Sequence, residues 1–139
     1  MYRKDYLQRQ FESFGKVLAA LMGLRKNKDI ETHEKELFSA FITYTQFKPE
    51  QIEAWSQEEF VKNLNLESTL SSAQLRMLAD LIYEKLQLYL ETGEEKKAKN
   101  LGLKCSHLYS LIQEDLTQNE FNLEAHYRLS VLETLKNQL

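Results

Sequence analysis

The residue types that carry chemistry in this chain are few, and their spacing is wrong for the reactions they usually serve. His33 opens the run His33-Glu34-Lys35-Glu36-Leu37. It begins like the zinc-protease pattern His-Glu-x-x-His, but Leu37 stands where the second imidazole must be, so the ligand pair on one helical face is missing. A helical di-iron site needs glutamate three residues before histidine on two helices. The positions three before His33, His107 and His126 are Ile30, Lys104 and Leu123. Cys105 and His107 are two residues apart on a predicted helix, which points them about 200° apart at ~3.6 residues per turn. They cannot form a nucleophile–base pair with each other. Cys105 lies on an apolar stripe and reads as a packed core thiol, as unpaired cysteine commonly is. Gly15, Gly23, Gly93 and Gly102 are isolated, so there is no phosphate-cradling loop. Glu58-Glu59 and Glu94-Glu95 are consecutive and diverge on a helix. These features argue against an enzyme, and no metal or other cofactor is expected.

Composition points to long helices. One proline and four glycines in 139 residues are too few for the turns of an all-β fold or the tight loops of a parallel α/β fold. Apolar residues at 42% and charged residues at 28% suit a chain that buries its own core, and the length suits a single domain, residues 1–139. With Cys105 alone, an internal disulfide is impossible, which favours a reducing compartment. The longest nearly apolar run, Val17 to Leu24, is far short of the ~20 residues a membrane span needs. It follows a charged stretch unlike a signal peptide, so the expected location is the cytoplasm.

The net charge of −3 conceals a split. Residues 1–28 carry Arg3, Lys4, Arg9, Lys16, Arg25, Lys26 and Lys28 against Asp5 and Glu12, a net +5, leaving −8 on the rest. Two readings follow: an anionic partner for the first helix, or a basic helix packed on the acidic remainder. Arg9 and Lys16 share their face with Asp5 and Glu12, so no continuous cationic stripe forms.

The elements that must position any site follow from apolar periodicity. A first helix over about Tyr2–Leu24 carries Leu7, Phe11, Phe14, Leu18 and Leu21 at alternating steps of four and three. Such a stripe belongs in the core or in a homodimer interface. The internal glycines, Gly15 and Gly102, imply close helix–helix approach. A second helix spans about Glu31–Thr45, capped by Asp29 or Thr32, with Leu37, Phe38, Phe41 and Ile42 inward. Pro49 suits the first turn of a short helix with Ile52 and Trp55. Ser56 and Glu59 form a capping box for another, holding Phe60, Val61 and Leu64. Ser71 or Ser72 caps a helix over about Ala73–Thr92 with inner residues Leu75, Leu78, Ile82, Leu86 and Tyr89. Gly93 ends it in a left-handed turn. The next helix, about Glu94–Leu116, buries Ala98, Leu101, Cys105, Leu108 and Ile112. A last one, about Asn122–Asn137, offers Leu123, Tyr127, Val131 and Leu135. The expected fold is all-α, a bundle of about five to seven helices.

Leu86, Tyr89, Gly93, Ala98 and Cys105 give the segment Ile82–Ile112 a pattern that resembles a tetratricopeptide-type helical hairpin. Gly102 and Ser110 depart from that pattern, and it fails one repeat later, where Glu120 replaces an apolar residue. The resemblance therefore implies one hairpin, near residues 73–116, rather than an array. The opening Asp5-Tyr6-Leu7-Gln8-Arg9, followed by Leu18-Ala19-Ala20-Leu21, is similar to a family of small bacterial helical proteins of unknown function. That resemblance implies a bacterial, cytoplasmic protein and supplies no site residues.

In tetratricopeptide-like pairs the outer face of the first helix lines a peptide-binding groove. Here that face carries Arg76, Asp80, Tyr83 and Gln87 at steps of four, three and four, one ridge. Arginine and tyrosine are residue types that anchor interfaces. Two readings stand: a solvated helix face with one incidental tyrosine, or a ridge that takes a protein or peptide partner. The expected function is a non-enzymatic protein-interaction or scaffold module, with self-association through the first helix a further option. The alternative is binding of an anionic surface, membrane or nucleic acid, through the basic first helix.

Overall fold

The computed structural model describes residues 2–66, 70–114 and 127–134. Among them there are helices and no strand: α1 (Tyr2–Lys26), α2 (Ile30–Thr45), α3 (Pro49–Ala54), α4 (Gln57–Leu66), α5 (Ser72–Glu91), α6 (Glu95–Glu114) and α7 (127–134). They pack as a bundle around α5, which lies against α1, α2 and α6.

Local chemistry sets the boundaries. Asp29 accepts the Thr32 amide at 3.3 Å and caps α2. Ser56 and Glu59 exchange side-chain bonds with each other's backbone amides at 3.1 and 3.0 Å at the start of α4. Ser71 and Gln74 do the same for α5, so both helices begin with two otherwise orphaned donors satisfied. Pro49 occupies the first turn of α3. Gly93, at φ +80°, turns the chain from α5 into α6, a conformation that costs a residue with a Cβ about 1–2 kcal/mol.

The core draws on every helix. Phe14 and Leu21 of α1, Leu37 and Phe41 of α2, Ile52 of α3 and Phe60 of α4 are buried with Leu78, Ile82 and Leu86 of α5. Ala98, Leu101, Cys105, Leu108 and Ile112 of α6 join them, as their periodicity predicts. Met77, Ala79 and Leu81 are also buried, so α5 is covered on more than one face, as a central helix must be. Ala98 is fully buried, and Gly102 lies against Leu86, whose Cδ1 would stand 3.5 Å from an added Cβ. The expected close approach holds at Gly102. At Gly15 it does not: no atom lies within 4 Å of where its Cβ would be.

Two inner faces differ from expectation. On α2 the buried residues are His33, Leu37, Ala40, Phe41, Tyr44 and Thr45, whereas Phe38 and Ile42 are about two-fifths exposed. The helix is rotated so that His33 and Tyr44 reach polar partners in α5 and α1: Tyr44 pairs with Ser13 Oγ at 2.7 Å. On α7, Tyr127 is exposed, and Leu129 and Leu132 face the core instead. Leu123 and Leu135, expected on the same face, lie outside the described residues.

A polar pin joins α3, α5 and α6. Lys104 is fully buried and donates to Asn100 Oδ1 at 2.8 Å; Asn100 donates to the Glu53 carbonyl at 2.9 Å; the Tyr89 hydroxyl donates to the Glu53 carboxylate. Burial pushes the Lys104 ammonium below its ordinary range, and the nearby Glu53 and Glu59 carboxylates oppose that shift.

Candidate functional site

The ridge of α5 is aligned as its spacing requires, but it is not solvated. Arg76 and Asp80 are buried, and Tyr83 and Gln87 are partly buried. The expectation of an open helix face fails because α6 and α7 close over this side of α5 and bring Tyr109 and Arg128 onto it.

Asp80 is the hub. The Arg76 Nε donates to both of its oxygens at 3.2 Å, one turn away on the same helix. The Tyr109 hydroxyl of α6 donates to Oδ1 at 2.7 Å. Arg128 of α7 donates through Nη1 to the same Oδ1 and to the Tyr109 oxygen. The Arg128 guanidinium carbon sits 4.8 Å from the Tyr83 ring centroid and 5.6 Å from that of Tyr109. The two rings meet edge to face at 6.4 Å, and Gln87 hydrogen-bonds the Tyr83 hydroxyl.

A carboxylate flanked by two tyrosine faces is a guanidinium cage. Coulombic attraction, directed hydrogen bonds and ring quadrupoles act on one planar cation where water is largely excluded. Burial, reinforced by the negative charge of Asp80, pushes the Tyr109 hydroxyl well above its usual range, so it remains a proton donor. Burial likewise raises Tyr83, with Arg128 opposing. The arrangement can orient and hold a cation. Cys105, close behind it, is fully buried with its thiol directed to the Ala79 carbonyl at 3.4 Å. Burial and then Asp80 raise its pKa well above the ordinary thiol value, which leaves it a poor nucleophile.

A second cluster joins α1, α2 and α5. Glu84, buried one turn beyond Asp80, accepts from Arg25 Nε at 2.7 Å and from His33 Nε2 at 3.2 Å. Arg25 also reaches Glu91 at 2.6 Å. His33 is fully buried, and its Nδ1 has no hydrogen-bond partner. Burial alone would raise the Glu84 carboxylate, but the bonds from His33 and Arg25 outweigh it and hold the group below its ordinary value. Beside the cluster, Arg25, Lys26, Lys28, Ile30 and Leu88 line an open cleft of about 540 Å³.

Spacing groups Arg76, Asp80, Tyr83 and Gln87 on one ridge but does not show that Tyr109 and Arg128 cover it. Arg128 had a readable signal: it is adjacent to Leu129 and one turn from Leu132, so it shares their inward face. His33 had one too, at four residues before Leu37 and eight before Phe41 on the α2 stripe. Glu84 had one as well, three residues after Leu81 and four before Leu88 on a buried stripe, but its partner Arg25 stands 59 residues away. Among the described residues no three His, Cys, Asp or Glu side chains gather closely enough to hold a metal ion, and no helix is long and apolar enough to cross a membrane.

The chain is a small all-helical protein, and no protein-family model, curated protein or solved structure matches it.

Proposed function

We propose that this chain is a non-enzymatic protein-interaction module whose working surface is the α5 ridge of Asp80, Tyr83 and Gln87 together with Tyr109 of α6. The observation that carries this reading is Arg128, a side chain from a separate helix seated on that ridge. A surface that already holds one helix by a caged guanidinium has the chemistry to hold another. The tetratricopeptide-like pattern of Tyr89, Gly93, Ala98 and Cys105 supports it, since the ridge is the face such hairpins use for peptides. The resemblance of Asp5-Tyr6-Leu7-Gln8-Arg9 to the opening of small bacterial helical proteins, and the single buried thiol, support a bacterial cytoplasmic setting.

Affinity capture on the immobilised full chain tests the reading, with Tyr83→Ala as comparator. Proteins retained by the parent and lost by a helical, cooperatively melting Tyr83→Ala chain support it. Equal retention removes the ridge as the working surface.

The alternative, an anionic surface met by the basic first helix, draws on Lys26 and Lys28, both exposed at the α1 cleft. It is weakened by Arg25, whose charge is already committed to Glu84 and Glu91. Self-association through α1 needs the face of Gly15, Ala19 and Met22, because the apolar stripe from Phe11 to Leu21 packs into the core.

A further inference from the structure

We propose that the α5 ridge recognises an amphipathic helix bearing Arg-Leu-x-x-Leu, and that α7 is its resident occupant, competing with a partner helix of that pattern. The proposal rests on the interaction reading above and adds the chemistry of the partner.

The pattern comes from what α7 presents to the ridge. Arg128, Leu129 and Leu132 face inward: the guanidinium enters the Asp80–Tyr83–Tyr109 cage, Leu132 is buried in the core and Leu129 packs against it. Tyr127, Ser130, Glu133 and Thr134 are exposed and place no demand on an occupant. The cage selects arginine over lysine. A planar guanidinium lies over the Tyr83 ring while one nitrogen reaches both Asp80 and the Tyr109 hydroxyl, whereas an ammonium is a point charge without that plane. The apolar requirement is two leucine-sized side chains, adjacent to the arginine and one turn beyond.

The resident is replaceable on physical grounds. Its described part meets the ridge through one guanidinium and two leucine side chains, groups that a helix from another chain can supply. It competes as part of the same chain, so a free helix must overcome its effective concentration. A partner helix with the same pattern meets the same cage. The apparent affinity of the intact chain for that helix is then its intrinsic affinity reduced by the small fraction of open ridge.

The test uses the full chain, its Arg128→Gln variant, and a fluorescein-labelled synthetic peptide of residues 122–139, read by fluorescence anisotropy. The expected result is peptide binding at least about tenfold tighter to Arg128→Gln than to the parent. Replacing the peptide's own arginine by glutamine should abolish it. Should Arg128→Gln lose its cooperative melt, the parent is read instead, by photocrosslinking to the peptide from benzoylphenylalanine in place of Gln87. Crosslinking that requires the peptide arginine then supports the proposal. Failure of the peptide to bind or crosslink, or binding indifferent to its arginine, overturns it. So does a parent chain of dimeric mass that dissociates on Arg128→Gln, because the cage is then filled by a second copy. If Tyr83-dependent capture of host proteins survives such a failure, the interaction reading stands and only the arginine requirement falls.

Discussion

Arg25 and Glu84 meet at 2.7 Å across 59 residues of sequence, with the carboxylate side chain 5% exposed and His33 on the same oxygen. The contact ties the end of α1 and the start of α2 to the middle of α5. A buried carboxylate so held is costly to remove, because its cation is left behind in a poor solvent.

Glu84→Gln is therefore expected to lower stability at neutral pH by roughly 3 kcal/mol. The pH dependence has a definite sign. The folded-state pKa of Glu84 lies below the ordinary 4.5, so between those values the unfolded chain binds a proton that the native chain does not. The stabilisation is complete above the ordinary value and is lost as pH falls through the folded one. Urea midpoints measured from pH 3 to 7 should fall on the acid side in the parent, and less steeply in Glu84→Gln.

Tyr109→Phe removes the hydroxyl that donates to Asp80 and accepts from Arg128. The loss should be about 1–3 kcal/mol, the cost of leaving a buried polar group short of a partner. Tyr83→Phe keeps the ring under Arg128 and gives up only the bond to Gln87, so its loss should be smaller. Chemical denaturation of the two variants checks the order; a larger effect at Tyr83 contradicts the role given to Tyr109.

Cys105 should resist alkylation in the native state, being fully buried with its pKa raised. Mass spectrometry after iodoacetamide treatment should find it unmodified in buffer and fully modified in denaturant.

Two glycine variants should move stability in opposite directions. Gly15→Ala, mid-helix with open space around it, should stabilise by about 0.5–1 kcal/mol. Gly93→Ala also meets no atom, but its φ of +80° makes the cost purely one of backbone, about 1–2 kcal/mol. Thermal melts separate the two.

How far the chain could be read is seen in α5 and α2. The α5 boundaries were legible because Ser71, Gln74 and Gly93 are local signals, and the α6 stripe because period alone places Ala98 through Ile112 inward. The rotation of α2 was not, since Phe38 and Ile42 are as apolar as the buried Leu37 and Phe41. What decides between the faces is His33 meeting Glu84, a partner that no window of sequence contains. The ridge failed in the same way. Its four residues align as their spacing says, yet its exposure depended on where Arg128 and Tyr109 are delivered by other helices. Polar residues on a helix face read as solvated until their counter-charges are located.

The three-residue turn between α5 and α6 carries a kinetic consequence. These helices, joined by Thr92, Gly93 and Glu94, make contacts of short sequence separation, whereas α1 reaches α5 across a long loop. Closing short loops first loses least chain entropy. The hairpin should therefore be formed at the folding barrier, with α1 docking after it. In stopped-flow experiments, Ala98→Gly should chiefly slow refolding, and Leu21→Ala should chiefly speed unfolding. The Arg25–Glu84 bond then acts as a latch closed last, and it governs how long the native protein persists more than how quickly it forms.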